Sequence, residues 1–470
     1  MSISRLWLFL AVALPMLAAV VASISTVDLT YHLRAGSDIL ATGRIPTVDT
    51  WTFTVAGEPW RDQQWGAQVI LRLAESVGGW TGLVLLRAAV TAIIVGCLLL
   101  AVRRRGLDAR TAALLVLVAF VVAAPAMALR PQLLGMACFA VVLLLVADRR
   151  RAPRRLWLVP VVVALWANLH GSFFLGPLVV GLAWLEDVHD RVERPHATLL
   201  VGVVAAAAAS LTPFGPAVWT YAVGLSTDSG VTARVTEWQP TSIRDVAGIL
   251  FFASVIGVVA LIARRPHVVT WPTLAWLGTF FVIGVYALRG VAWWPFAAAV
   301  TMAGTLIPVA RDPAREEPRT FRRLNVGVVV ALLIAGVALL PAWRPTDPGT
   351  LAPQGLLSDA PPGITAFLRD DIQPGDRILN EQRWGSWFQF ALPEATVAVD
   401  SRIELVPAEV WAAHEAILAG VDGWERQLDD WGVTYIVVGP PPTAFASRME
   451  GAGWTAAYQD DDGAVWLRDR

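Results

Sequence analysis

The chain has 470 residues, 56% hydrophobic and 16% charged, well above the roughly 2 to 1 balance of a soluble domain. Its 37 basic residues are all arginine and face 38 acidic ones, so there is no global electropositive surface to favour nucleic acid as a partner. The lack of lysine also excludes a Walker-type phosphate loop, a Schiff-base lysine and a lysine general base.

A bilayer-crossing helix needs about 20 mostly apolar residues, and eleven stretches of that length or slightly less follow one another. They centre on 5–25, 81–102, 111–129, 132–147, 156–168, 172–185, 197–212, 248–264, 269–288, 292–310 and 325–341. Small residues at Ala18, Ala19, Ala22 and Ser23 leave a cleaved signal peptide as the alternative for the first. Cys97 and Cys138 both fall inside apolar runs and read as packing residues, with no disulfide framework.

Arginine excess on one side of a membrane sets orientation. With the N-terminus inside, nineteen arginines fall in interior segments: Arg5, then clusters around Arg103–Arg110, Arg149–Arg155, Arg191–Arg194, Arg264–Arg265 and Arg311–Arg323. An odd number of spans then sends the tail outside. The predicted fold is mostly α, a polytopic helical membrane protein of about 11 transmembrane helices with a small C-terminal extracytoplasmic α/β domain. The expected divisions are a membrane domain over 1–341, with outer loops at 26–63 and 213–247, a linker over 342–363 and the α/β domain over 364–470. In the tail, Arg377–Asn380, Thr396–Asp400 and Val433–Val438 predict buried strands, and 407–430 a helix.

Polar residues with chemical potential gather on the outer side. Asp28 lies about a turn from the membrane boundary, where a carboxylate is partly desolvated yet faces water, a setting for a general base. The plainer reading is a solvated helix-end charge. Arg130 and Arg289 sit at outer span ends, where a guanidinium suits a phosphate; the alternative is snorkelling to lipid headgroups. Arg87 lies well inside the second span, a costly position unless paired or hydrated, which makes it a structural or donor-groove candidate. The tryptophans, among them Trp51, Trp60, Trp65, Trp80, Trp293, Trp294 and Trp343, fit an interfacial belt, whereas Trp384 and Trp387 read as core.

The run Asp28-Leu29-Thr30-Tyr31-His32-Leu33-Arg34-Ala35-Gly36, followed by Gly43-Arg44-Ile45-Pro46-Thr47-Val48-Asp49, resembles the first outer loop of the glycosyltransferase C superfamily. These are polytopic enzymes that take sugars from polyprenyl-phosphate carriers. The match is to a bacterial group with D-x-x-[WY]-H-L-x-x-G then G-x-[IV]-P-x-x-D, and more distantly to oligosaccharyltransferase catalytic subunits with D-x-x-Y-H-x-R. The resemblance assigns the catalytic carboxylate to Asp28. Arg130-Pro131-Gln132 and Trp166-Ala167-Asn168-Leu169-His170-Gly171 resemble further motifs of the same bacterial group. Val235-Thr236-Glu237-Trp238-Gln239-Pro240 is similar to the S-V-x-E-x-Q-P loop of oligosaccharyltransferases, whose Glu helps organise the acceptor site. Asn380–Gly385 and Val399–Arg402 resemble W-G and D-x-R elements of the group's outer domain.

The resemblance implies an inverting membrane glycosyltransferase. It would move a sugar from a polyprenyl-phosphate-linked donor to a cell-envelope acceptor, a glycan, lipid or protein, on the extracytoplasmic face of the cell membrane. Asp28, Glu237 and Asp49 are the catalytic candidates, and Tyr31, His32, Arg34, Arg130, Asn168, His170, Arg289 and Arg402 the substrate-binding ones. No dedicated metal site is expected, although Mg2+ or Mn2+ would find oxygen ligands in Asp28, Asp49 and Glu237. The competing readings are a transporter or flippase of lipid-linked precursors, for which Arg87 is the one strong intramembrane charge, and a non-catalytic envelope scaffold.

Overall fold

A computed structural model of the chain describes residues 1–227, 229–306, 319–441 and 443–468. It divides into two compact units, Met1–Ala22 with Val84–Leu340, and Ser23–Leu83 with Pro341–Arg470.

In the first unit each of the predicted apolar stretches carries a helix. Among the described residues, Ile3–Val21, Trp65–Arg104, Ala109–Ala126, Pro131–Asp148, Gly171–His189, Val246–Arg264 and Phe321–Ala338 are long and apolar enough to cross a membrane. The chain is therefore a multi-pass membrane protein. Pro195–Ala208 and Trp271–Tyr286 are shorter apolar helices, and Val159–Ala167 and Trp294–Met302 have nine residues each.

Local chemistry sets the helix starts. The Asp108 side chain accepts from the N–H groups of Arg110 and Thr111, and Asp245 from that of Gly248. Pro131 and Pro195 occupy first-turn positions where a missing N–H costs nothing. The core is aromatic: Phe139 stands edge-on to Phe280 at 5.5 Å and to Trp293 at 5.2 Å, with Trp166 alongside. A Cβ at Gly135 would lie 2.9 Å from the Trp166 indole nitrogen, so glycine is what lets Pro131–Asp148 approach this cluster.

Two charge assignments acquire partners here. Arg87 is buried and donates to the Ala22 carbonyl at 2.6 Å; the charge inside the second apolar stretch satisfies the end of the first helix. Arg149, expected as an orientation signal, is also buried and grips Asp187 at 2.8 Å and Glu186 at 2.9 Å. Arg311 and Arg315 lie outside the described residues. The tryptophan belt needs correction. Trp293 and Trp294 are buried in the helical core, while Trp343 stays 67% exposed.

The second unit holds two sheets. Strands β1 (Ile24–Ser25) and β2 (Leu357–Ser358) pair in parallel. A five-stranded sheet has the order β4-β3-β5-β7-β6, with β3 (Arg377–Asn380), β4 (Thr396–Val397), β5 (Tyr435–Val438), β6 (Trp454–Gln459) and β7 (Ala464–Arg468). β4, β3 and β5 run parallel, while β7 pairs antiparallel with both β5 and β6. The predicted strands are present, although β4 stops at Val397, short of Asp400. The helix expected over 407–430 is two helices, Ala408–Ala419 and Trp424–Trp431, separated where Gly420 and Gly423 take positive φ. Trp384 and Trp387 are core residues, as expected.

The stretch from residue 26, expected as a polar loop, opens with the helix Thr26–Thr42 and ends at Gly43 with φ 65°. Leu29, Leu33, Gly36 and Ile39 are buried at helical spacing; the helix packs against Gln382–Ala391, and Gly36 lies against Gln68 and Arg72. Farther on, the segment around Thr52 adds itself to the edge of β4, with Val397 N–H donating to Trp51 O and Phe53 N–H to Val397 O.

Candidate functional site

In the first unit, three residues from separate motifs meet. Arg130 stands at the N-cap of Pro131–Asp148, Glu237 on the 3₁₀ turn Thr236–Trp238 and Arg289 on the 3₁₀ turn Leu288–Ala292. The Arg130 guanidinium donates to Glu237 Oε1 at 2.7 Å, and the Arg289 guanidinium lies 4.8 Å from the centre of the Trp238 ring. Backbone bonds hold the turns in register: Leu288 N–H donates to Gln239 O at 2.9 Å and Thr241 N–H to Val285 O at 3.1 Å. Partial burial raises the proton affinity of Glu237, but the charges of Arg130 and then Arg289 outweigh it and hold the carboxyl below its usual range.

These residues line a pocket of about 120 Å³ with Val122, Pro125, Ala126, Leu288 and Val291. A second cavity of about 700 Å³ runs between the helices Ala109–Ala123, Val246–Arg264 and Trp294–Met302. Its walls are almost wholly apolar, including Leu114, Val118, Val258, Trp294 and Met302, and Val122 lines both spaces. An apolar groove and a pocket holding an arginine pair thus share a wall at Val122, a combination suited to a lipid chain with an anionic head.

Asn168 and His170 do not line this pocket. Asn168 Nδ2 donates to Ala164 O at 2.8 Å and Leu211 O at 3.0 Å. Buried His170 accepts at Nδ1 from Ser172 N–H and lies 2.7 Å from Ser172 Oγ. Both hold the turn between two helices.

The second unit contains the other candidates. Asp28 occupies the first turn of Thr26–Thr42 and is half-buried, where the helix macrodipole suits a negative charge. Ser401 Oγ donates to Val27 O at 2.7 Å, and Thr26 Oγ1 to Ser358 O at 3.1 Å, pinning this turn from two sides. His32, one helical turn on, is buried, with its ring centre 3.9 Å from that of Tyr31. Its Nδ1 lies 3.3 Å from Gln68 Nε2, which donates to Asp62 Oδ1 at 2.6 Å. Burial pushes the Asp62 carboxyl up to about 7 against the Gln68 hydrogen bond and the charge of Arg402. Glu404, nearby in sequence to Arg402, is exposed. Arg34 donates to Gln389 O at 3.3 Å.

Asp49 and Arg402 are both 1% exposed and bound to each other at 2.6 Å. Arg402 also takes Asp400 at 2.5 Å, and its guanidinium lies 4.4 Å from the Trp51 ring centre and 4.7 Å from that of Trp60. Asp49 further accepts from Thr52 N–H and Oγ1. Expected to act on substrate, these two residues are instead enclosed and occupied by protein partners. The same contacts move Trp51 and Trp60 from the predicted belt into a packed cluster.

Among the described residues no three His, Cys, Asp or Glu side chains converge in a metal-binding set. Asp62, Gln68 and Glu404 escaped the motif reading; the sequence signal for Asp62 is a polar run, Arg61-Asp62-Gln63-Gln64, directly before a long apolar helix, in whose first turns Gln68 lies.

No protein-family model matches the chain and no curated protein matches it in sequence. Solved structures do match. The oligosaccharyltransferase AglB of Archaeoglobus fulgidus, solved with an inhibitory peptide and a dolichol-phosphate, superposes with a TM-score of 0.60 at 12% identity, over 93% of this chain and 69% of that one. ArnT of Cupriavidus metallidurans, bound to undecaprenyl phosphate, matches with a TM-score of 0.55 at 16% identity, over 98% of this chain and 97% of that one. A further structure of the Archaeoglobus enzyme, holding zinc and sulfate, matches with a TM-score of 0.57 at 13% identity, over 93% of this chain and 68% of that one. At these identities the likeness is one of fold.

Proposed function

We propose that the chain is an integral membrane glycosyltransferase that moves a sugar from a polyprenyl-phosphate-linked donor to a cell-envelope acceptor on the extracytoplasmic face. The observation that carries this reading is the apolar groove that shares Val122 with a pocket holding Arg130 and Arg289. The fold shared with AglB and ArnT, whose structures hold dolichol-phosphate and undecaprenyl phosphate, supports it. The arginine-rich loops support a cytoplasmic N-terminus and an outer C-terminal domain.

In the proposed reaction the bond between the anomeric carbon and the phosphate oxygen breaks, and an acceptor oxygen bonds that carbon from the opposite face. The acceptor's proton passes to Asp28 as general base. The electron pair of the broken bond stays on the phosphate, whose added negative charge Arg130 and Arg289 stabilise. Tyr31 and His32, beside Asp28 on its helix, shape the acceptor side. Mg2+ or Mn2+ would take oxygen ligands such as Asp28, and activity with and without a chelator reads any such dependence. Arg87, the charge that favoured a transporter, is engaged with Ala22 O.

The test uses membranes containing the full chain and a labelled undecaprenyl-phosphoryl-hexose. Release of undecaprenyl phosphate with transfer of label supports the enzyme, and Asp28→Asn abolishes it while membrane insertion is unchanged. Full activity in that variant removes the base assignment, and vectorial movement of the intact lipid without cleavage replaces the enzyme with a flippase.

A further inference from the structure

His32 stands on the helix Thr26–Thr42 and Gln68 in the first turns of Trp65–Arg104. The two helices meet at Gly36, one turn beyond His32, where an added Cβ would run into Gln68 O and lie 2.7 Å from Arg72 Cβ. Glycine is what permits this approach. Asp62, Gln68 and His32 form a chain there and are all buried. The Gln68 Nε2 group has two hydrogens and two neighbours, Asp62 Oδ1 at 2.6 Å and His32 Nδ1 at 3.3 Å. Donating to both, it makes His32 Nδ1 an acceptor, and an accepting ring nitrogen carries no proton. Neutral His32 then keeps its proton on ring Nε2.

Two atoms of the chain are left over. Among the described residues, Asp62 Oδ2 and Gln68 Oε1 are buried without a hydrogen-bond partner, which would cost about 1–3 kcal/mol for each. They belong to the same two groups that Gln68 Nε2 already joins. One proton on Asp62 Oδ2, donated to Gln68 Oε1, satisfies both. Burial and the charge of Glu404 favour that proton, against the Gln68 bond, the charge of Arg402 and the Gln64 backbone N–H.

Resting on the glycosyltransferase reading above, we propose that Gln68 is a positioning residue: held by a protonated Asp62, it fixes His32 with its proton on Nε2, so that His32 meets the acceptor as a hydrogen-bond donor and leaves proton removal to Asp28. A histidine with an accepting nitrogen turned to the acceptor would compete with Asp28 for the same proton. The Gln68 contact removes that competition.

The experiment records nitrogen-15 spectra of the full chain, labelled at histidine, in phosphatidylcholine nanodiscs at pH 7, with His32 identified by its loss in His32→Gln. The wild type shows a single His32 tautomer, protonated on Nε2. Gln68→Leu and Asp62→Ala mix the tautomers and lower transfer from the labelled undecaprenyl-phosphoryl-hexose about tenfold, the scale of one hydrogen bond. Asp62→Asn, whose amide N–H replaces the acid O–H as donor to Gln68 Oε1, keeps the wild-type tautomer and restores transfer relative to Asp62→Ala. A proton on His32 Nδ1, a tautomer unchanged in Gln68→Leu, or Asp62→Asn behaving as Asp62→Ala overturns the assignment. The wild-type tautomer decides even where a variant does not fold. The expected tautomer in a wild type that transfers no sugar removes the glycosyltransferase reading while the hold on His32 stands.

Discussion

The pocket around Arg289 and the cluster around Arg402 use the same two residue types in opposite proportion. In the first unit two arginines and one carboxylate line a pocket that shares Val122 with an apolar groove. In the second unit one arginine meets two carboxylates, Asp49 and Asp400, between the rings of Trp51 and Trp60, with almost no exposed surface. The first arrangement faces a cavity. The second is saturated and joins two distant stretches of sequence. An arginine near a carboxylate thus borders a cavity in one place and is a rivet in the other, according to access.

Breaking the rivet has the largest expected effect. Arg402→Ala leaves two buried carboxylates without their cation and costs about 3–5 kcal/mol, read as a fall in the apparent melting temperature of the purified protein. A variant as stable as wild type would show that Asp49 and Asp400 find other compensation. The next effect is one of pH. Asp62 carries a carboxyl raised from 3.8 to about 7, so the folded form holds its proton while the unfolded form releases it. Its stabilising contribution is complete below about pH 4 and is lost as pH rises towards 7, by on the order of 4 kcal/mol at most. Asp62→Asn should therefore flatten the stability profile between those pH values; an unchanged profile would exclude a proton on Asp62.

Arg289→Ala sharpens the comparison from the other side. It should weaken binding of undecaprenyl phosphate about tenfold to a hundredfold, the range of a charge-assisted hydrogen bond, while the melting temperature barely moves. A large loss of stability with unaltered lipid binding would make Arg289 a second rivet. The smallest effect belongs to Asn168→Ala, which removes the tie to Leu211 O and should cost about 1 kcal/mol with donor affinity unchanged.

Most of the helical unit is legible in the sequence because an apolar run long enough to cross a bilayer has few other fates. The helix Thr26–Thr42 is not, since its polar residues mask the helical spacing of Leu29, Leu33, Gly36 and Ile39. The hairpin of β6 and β7 also escapes, since β6 is mostly exposed and lacks a buried apolar run, and the acidic turn Asp460–Gly463 separates the two strands. Within the candidate site, Arg130, Glu237 and Arg289 are each named by motif or position. That Glu237 bonds Arg130, and that Asp49 goes to Arg402, follows from neither.

The sequence by itself determined that this is a multi-pass membrane protein, because apolar length and sparse charge are properties of composition along the chain. It also marked which polar residues stand at the ends of spans. Only the tertiary structure decided what those residues do. A side chain's role depends on its partners and on whether water or a ligand can reach it, and residues far apart in sequence become partners only when the chain has folded.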